Sequence, residues 1–250
     1  MNDNVLISVA ITCYNQGHFI EDAIKSVVIQ THSNWELIII DDCSTDSSFD
    51  HINILIKKFG IEDKTKIIRH EVNKGYGSSL DKAIREASGE LIAVLDSDDA
   101  LADKDALKIE RDVHIKHPDA SLVYSNYILC NKHLKQKGIY KTRALKEGEK
   151  YLGTKIRISH FKMLKKKYYE MTDGINPKLR QSVDKDLNLR LEEVGRLVYV
   201  NANLLYYRHH PENLSISTSK KKPAYQKFVL KMRKQIYKDA EKRREIKNEK

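Results

Sequence analysis

Short runs of β-branched and aliphatic residues recur through the first hundred positions, at Leu6 to Thr12, Trp35 to Asp41, Thr65 to Arg69 and Leu91 to Leu95. Between them apolar residues return at i, i+3, i+4 and i+7: Ile20, Ala23, Ile24, Val27 and Val28, then Ile52, Leu55, Ile56 and Phe59, then Leu80, Ala83, Ile84 and Ala87. Strand-like runs alternating with helical spacing predict βα repeats and a parallel sheet. The runs at 37–40 and 91–95 show no polar alternation, so these strands should be covered by helices on both faces. A helix from Asp103 to His117, stopped by Pro118, and a strand from Ser121 to Tyr127 extend the pattern. It then loosens. Residues 128 to 182 set Gly138, Gly148, Gly153 and Gly174 among basic and aromatic stretches, a composition suited to hairpins and binding loops. Order returns in a helix from Asp184, with Leu187, Leu191 and Val194 on one face and Gly195 closing it, followed by strands at Leu197 to Val200 and Leu204 to Arg208. From Lys220 a last helix carries Tyr225, Phe228, Val229, Met232 and Ile236 on one side and lysines and arginines around them.

Composition changes this picture in two places. The net charge of +10 sits almost wholly in residues 219 to 250, which hold 13 Lys or Arg against 4 Asp or Glu. The body is electrically ordinary, so the basic balance reports an appended segment and not a nucleic-acid-binding face. No stretch approaches the roughly 18 apolar residues of a membrane span, and Met1 to Asn4 lacks a basic, then apolar, leader pattern. A cytoplasmic protein is expected. Cys13, Cys43 and Cys130, odd in number and widely spaced, fit neither a disulfide framework nor a paired zinc site.

The candidate chemistry lies at the strand ends. In an open parallel sheet, ligands bind beyond the carboxyl ends of the strands. There the first strand ends in Thr12-Cys13-Tyr14-Asn15, the second in Asp41-Asp42 and the fourth in Asp96-Ser97-Asp98-Asp99. Carboxylates crowded on one edge repel, and a hard divalent cation with oxygen ligands, Mg²⁺ or Mn²⁺, relieves the crowding and calls for a phosphorylated substrate. Asp46, after Ser44 and Thr45, reads as a helix start.

The runs Ser8 to Asn15, Trp35 to Asp46 and Gly89 to Asp99 closely resemble the family 2 glycosyltransferases of GT-A fold, over roughly residues 5 to 215. The resemblance implies a Rossmann-like, mostly parallel central sheet with helices on both faces, acceptor-side loops and, outside the likeness, the basic C-terminal helix. It implies a UDP-sugar donor, inversion at the anomeric carbon and a glycan or lipid-linked glycan acceptor, as in cell-surface polysaccharide or glycolipid synthesis. By similarity Thr12 and Tyr14 line the base pocket, with Tyr14 on the uracil. Asp42 accepts a hydrogen bond from the base beside Asp41, Asp96 lies near the ribose or donor sugar, and Asp98 ligates the metal. Asn15 and Ser97, inside the same motifs, belong to the same nucleotide-sugar pocket. Asp184, in Asp184-Lys185-Asp186-Leu187, matches the family's catalytic base and is favoured in that role over capping its helix, although Val183 stands where the family has Glu. Tyr207-Arg208-His209-His210, followed by Asn213 and Ser215, resembles the closing segment and assigns His210 to the metal or diphosphate. The Arg-Asn pair of many relatives is replaced by Leu80-Asp81. Phosphate neutralisation therefore falls to the metal, His210, Arg208, or Lys74 and Lys82, while Gly75-Tyr76-Gly77 resembles a loop whose amides approach a ligand.

The expected division is a nucleotide-sugar-binding half at 1–102, an acceptor and catalytic-base half of the same domain at 103–218, and a tail at 219–250. The first strand is not followed by GxGxxG, and no GxxxxGK[ST] is present, which excludes dinucleotide and P-loop classes. Two alternatives stay open: a haloacid-dehalogenase-like phosphotransferase using Asp96-Ser97-Asp98, and nucleic-acid binding through the tail. For the tail itself, peripheral contact with an anionic membrane at the inner face and packing against a partner are both compatible with the pattern.

Overall fold

The computed structural model of the protein describes residues 4–158, 161–179, 181–211, 213 and 223–248. Met1 to Asp3, the Glu212, Leu214 and Ser215 positions of the closing segment, and Lys220 to Lys222 of the tail lie outside the described residues.

The first half is a βα alternation. β1 (Ile7–Cys13), β2 (Trp35–Asp41), β3 (Thr65–Arg69) and β4 (Leu91–Asp96) are joined by α1 (Ile20–Val28), α2 (Ser48–Phe59) and α3 (Tyr76–Glu86). After the two-residue β5 (Ala100–Leu101) come α4 (Ala106–Lys116), β6 (Ala120–Asn131), β7 (Gln136–Tyr140), β8 (Lys162–Lys165), α5 (Lys166–Glu170), α6 (Val183–Glu192), β9 (Arg196–His209) and α7 (Pro223–Asn248). One nine-stranded sheet orders them β3-β2-β1-β4-β8-β6-β9-β5, with β7 paired to β6. β3, β2, β1 and β4 are mutually parallel, and β8 runs against both β4 and β6. β6 and β9 therefore share the direction of the first four strands and are parallel to each other. Six carboxyl ends face one edge.

Alternate residues of the same strand feed two cores, as the period of two requires. Val9, Ile11, Leu37, Ile39, Ala93 and Leu95 pack beneath α1, α2 and α4, while Ala10, Ile38, Ile40, Ile92 and Val94 pack beneath α3 and α6. This is why β1, β2 and β4 read as unbroken apolar runs.

Three expectations change. The loosely patterned segment 128–182 does supply a hairpin, β6–β7, but it also inserts β8 into the middle of the sheet. The two strands expected at 197–200 and 204–208 are one strand, β9, because its pairing with β6 shifts register around Asn126 and carries the polar Asn201 and Asn203 through bulges without ending the ladder. The C-terminal helix is no free tail: Val229, Ile236 and Ala240 are buried, and Met232 and Tyr237 pack on the α3–α6 core. Arg243 and Arg244 pair with Glu193 and Glu192 at the end of α6, at 2.7 and 2.6 Å. The apolar face that a membrane would take is largely spent on the body, and Phe228 stays exposed.

Ile236→Ala should therefore cost about 2 to 4 kcal/mol in a urea melt, as a buried aliphatic does, whereas Phe228→Ala should stay within about 0.5 kcal/mol of the parent. Equal effects would mean that α7 does not dock.

Candidate active site

The β2 end is tightly wired. Asp41, fully buried, lies 3.2 Å from the Arg69 guanidinium and accepts the Ser44 amide. Asp42 accepts the Lys74 and Gly75 amides at 2.8 and 2.7 Å and contacts His70 at 2.8 Å. Burial pushes the Asp42 carboxyl up, but His70, these two amides and Ser79 outweigh it and hold it below the usual range. A carboxylate has about four lone-pair positions, and His70, the two amides and Ser79 take them. The glycine loop is accounted for here: the Gly75 amide is spent on Asp42 and not offered to a ligand. Gly77 lies in the first turn of α3, where a Cβ would sit 3.1 Å from the Leu179 carbonyl.

Asn15, in the left-handed region at φ 54°, accepts the Thr45 amide at 2.8 Å and donates its own amide to Ser44. It laces the β1 end to the β2 end. Asp46 accepts the Ser48 amide at 2.9 Å at the start of α2. Tyr14 is 45% exposed, an aromatic face held open at the end of β1. Thr12 pairs in register with both Ile40 and Asp96, between the two acidic strand ends. Lys74 is exposed and Ser97 is buried.

The β4 end differs. Asp96, Asp98 and Asp99 each present a carboxylate oxygen, all within 4.8 Å of one another. Asp98 accepts from His210 Nε2 at 2.9 Å and from the Asn213 amide at 3.0 Å. Asp99 is buried and accepts the Arg208 amide through Oδ1, but Oδ2 has no hydrogen-bond partner among the described residues. Burial first, then the charges of Asp98 and Asp96, push its carboxyl well up. An orphaned buried oxygen beside two further aspartates is the donor set that a hard divalent cation fits. Arg208 is buried, and its guanidinium bonds the Asp98 and Lys132 carbonyls at 2.6 Å and Asp22 at 2.7 Å. It ties β4, β6, β9 and α1 together. Beside it opens a cleft of about 630 Å³ lined by His18, Phe19, Asp22, Lys132, Arg208 and His210.

Asp184 stands in the first turn of α6, where Ser182 is the cap position and the free amides favour a carboxylate. Tyr76, from the first turn of α3, joins it to the triad: its hydroxyl donates to Asp96 at 3.0 Å. Burial raises the phenol far above its ordinary value, with further contributions from Asp96, Asp184 and Asp98. Two residues here were not singled out by sequence reasoning for these contacts, Tyr76 and the buried Lys162, which pairs with Asp184. Asp186, two residues on, is buried against Arg190 at 2.9 Å and serves the helix.

The family model for glycosyl transferase family 2 matches residues 8–172. Chondroitin synthase from Escherichia coli is 32% identical over 216 residues, 84% of this chain and 30% of its own. Hyaluronan synthase from Pasteurella multocida is 31% identical over 215 residues, 84% and 21%. The chain thus spans less than a third of these relatives. A UDP-Glc:alpha-D-GlcNAc-diphosphoundecaprenol beta-1,3-glucosyltransferase, WfgD of Escherichia coli, is 35% identical over 130 residues, 52% of this chain and 48% of its own. Among solved structures, S. aureus TarS in complex with UDP-GlcNAc superposes with a TM-score of 0.70 at 19% identity, over 87% of this chain and 62% of that one. A Pyrobaculum calidifontis mannosyltransferase with GDP-Man and Mn²⁺ gives 0.62 at 14%, over 80% and 56%. The chain belongs to glycosyl transferase family 2 and has the GT-A fold. The haloacid-dehalogenase-like and nucleic-acid alternatives are left without support.

Removing the Asp42 side chain should strand the Lys74 and Gly75 amides and destabilise the protein by about 2 kcal/mol or more at pH 7. Because the folded carboxyl is held below its unfolded value, that stability is present above about pH 4 and lost as pH falls through the folded value. The gap between parent and Asp42→Ala urea midpoints should narrow in acid. A gap independent of pH would contradict the assignment.

Proposed function

We propose that the protein transfers a sugar from a UDP-sugar to an acceptor hydroxyl with inversion, in a divalent-metal-dependent reaction that builds a cell-surface polysaccharide or glycolipid. The observation that carries this reading is the gathering of Asp96, Asp98 and Asp99 oxygens within 4.8 Å of one another at the carboxyl edge of the sheet, with the Tyr76 hydroxyl donating to Asp96. A cation-competent cluster for the diphosphate leaving group, and a carboxylate base for the acceptor in Asp184, are what displacement at an anomeric carbon requires.

Asp98 and Asp99, with Asp96 and His210 beside them, would hold Mg²⁺ or Mn²⁺; once bound, the ion supplies Lewis-acid stabilisation to the departing diphosphate. Tyr14 offers its exposed face to the uracil, and Thr12 lies beside the pocket floor. Asp42 accepts from the base through a carboxylate that also holds the Lys74–Gly75 loop, while Asp41 and Asn15 fix the loop that presents it. Asp96 orients the ribose or donor sugar through the hydroxyl network it shares with Tyr76. Ser97 holds the turn, and Arg208 and Lys74 add positive charge at the two ends of the site. Asp184 takes the acceptor proton as the new bond to carbon forms, the acceptor arriving over residues 103–218. With a reference pKa of about 4 it acts by placement more than by basic strength.

The relatives' names, chondroitin and hyaluronan synthase and a diphosphoundecaprenol glucosyltransferase, favour a glycan or lipid-linked glycan acceptor. No described helix is long and apolar enough to cross a membrane. Contact of a cytoplasmic enzyme with an anionic membrane would run through the exposed outer stripe of α7, Lys227, Lys231, Lys234, Lys238 and Lys242, and be electrostatic.

UDP release from a panel of UDP-sugars with a mixed glycan acceptor should require added divalent cation and stop on chelation, and Asp98→Ala should abolish it. Asp184→Asn should lower turnover by about 10² to 10⁴-fold while leaving donor affinity intact. Full turnover in the chelated enzyme, or in Asp184→Asn, would overturn the respective assignment.

A further inference from the structure

Lys162 opens β8 opposite Val94 of β4 and Tyr124 of β6, so the three side chains share the face that packs on α3 and α6. It is 0% exposed, between the buried Phe161, Met163 and Leu164. An ammonium in such a place is costly unless a counter-charge meets it. Among the described residues the group that meets it is the Oδ1 oxygen of Asp184, reaching across from the first turn of α6. The Asp184 side chain is itself 32% exposed. The pair therefore has a buried cationic end and an open anionic end. Lys162 stands behind the carboxylate.

We propose that Lys162 is the positioning residue of the reaction: by anchoring one oxygen of Asp184 from inside the sheet, it fixes the carboxylate so that the other oxygen meets the acceptor hydroxyl. The inference rests on the reading of Asp184 as the base. A carboxylate on a short side chain at a helix start has several staggered rotamers, and a rigid strand is a better reference for its placement than a loop. The anchor also clears the base after each turnover. When Asp184 takes the acceptor proton, Lys162 is left as a buried cation without its counter-charge, so the proton passes on to solvent and the ion pair re-forms. No atom is gained or lost by the protein over the cycle.

Other charged and titratable groups around Asp184 have partners of their own. Tyr76 approaches from α3, but its hydroxyl is given to Asp96. Tyr151 approaches from the loop before β8, with a phenol pushed up to about 12, chiefly by burial. Along α6 itself, Lys185 is turned onto the Tyr237 hydroxyl at 2.5 Å, and Asp186 is held by Arg190.

The test compares Lys162→Met, Lys162→Arg and Asp184→Asn in the full chain with saturating metal, measuring kcat, donor KM, UDP affinity and the pH profile of kcat. Lys162→Met keeps the length of the side chain and leaves a carboxylate that still reaches water, so folding should persist and is checked by its melting curve. The expected result is a fall in kcat of about tenfold or more, donor KM and UDP affinity within about twofold, and an acid limb moved to higher pH by about one unit, since a nearby cation lowers a carboxyl pKa by 1 to 3. Lys162→Arg should recover most of the rate and the original limb. If Lys162→Met melts earlier but keeps kcat and the acid limb, the lysine is structural only and the inference fails. If Asp184→Asn retains turnover, the base assignment itself falls; a dead Asp184→Asn beside an unshifted Lys162→Met overturns the lysine's role alone.

Discussion

Like charges on one edge of a sheet are the constraint from which the site is built. Five aspartates end β2 and follow β4, and the fold treats them unequally. Asp41 is paired with Arg69 and the Ser44 amide through one oxygen, and Asp42 is hydrogen-bonded by His70 and the amides of the loop it holds. Asp96, Asp98 and Asp99 are gathered within 4.8 Å, and Asp99 keeps a buried oxygen without a hydrogen-bond partner among the described residues. The first pair shapes the pocket. In the proposed reaction a divalent cation and a diphosphate would relieve the repulsion within the triad.

The surrounding architecture serves that placement. Because β6 and β9 run with the first four strands, their carboxyl ends bring Lys132, Arg208 and His210 to the same edge. Arg208 then links α1, β4, β6 and β9 through one guanidinium, which makes the rim of the 630 Å³ cleft a rigid element. On the other side, α7 brackets the helix that carries Asp184. Arg233 reaches Ser182 at its start, and Arg243 and Arg244 hold Glu193 and Glu192 at its end. The basic segment that looks appended in the charge count is thus part of the domain's packing.

The first half of the fold was legible because buried parallel strands and amphipathic helices write their periods directly into the chain, and Trp35–Asp41 and Thr65–Arg69 begin and end where the pattern says. β8 was not legible, since a four-residue strand with a lysine at each end carries no periodic signal, and its apolar character comes from neighbours far along the chain. β9 read as two strands because Asn201 and Asn203 look like a break, although bulges let the ladder continue. The acidic edge and Asp184 stood out by residue type and motif. The partner each carboxylate takes depends on loop amides and on Tyr76 and Lys162. Those partners are set by tertiary contact and leave no local mark.

In the proposed mechanism the triad and the nucleotide share one cation, which calorimetry tests directly. Titrating Mn²⁺ with and without UDP, and UDP with and without Mn²⁺, should show each ligand tightening the other by the same factor, as linkage demands. UDP affinity that is unchanged by Mn²⁺ or by chelation would contradict it.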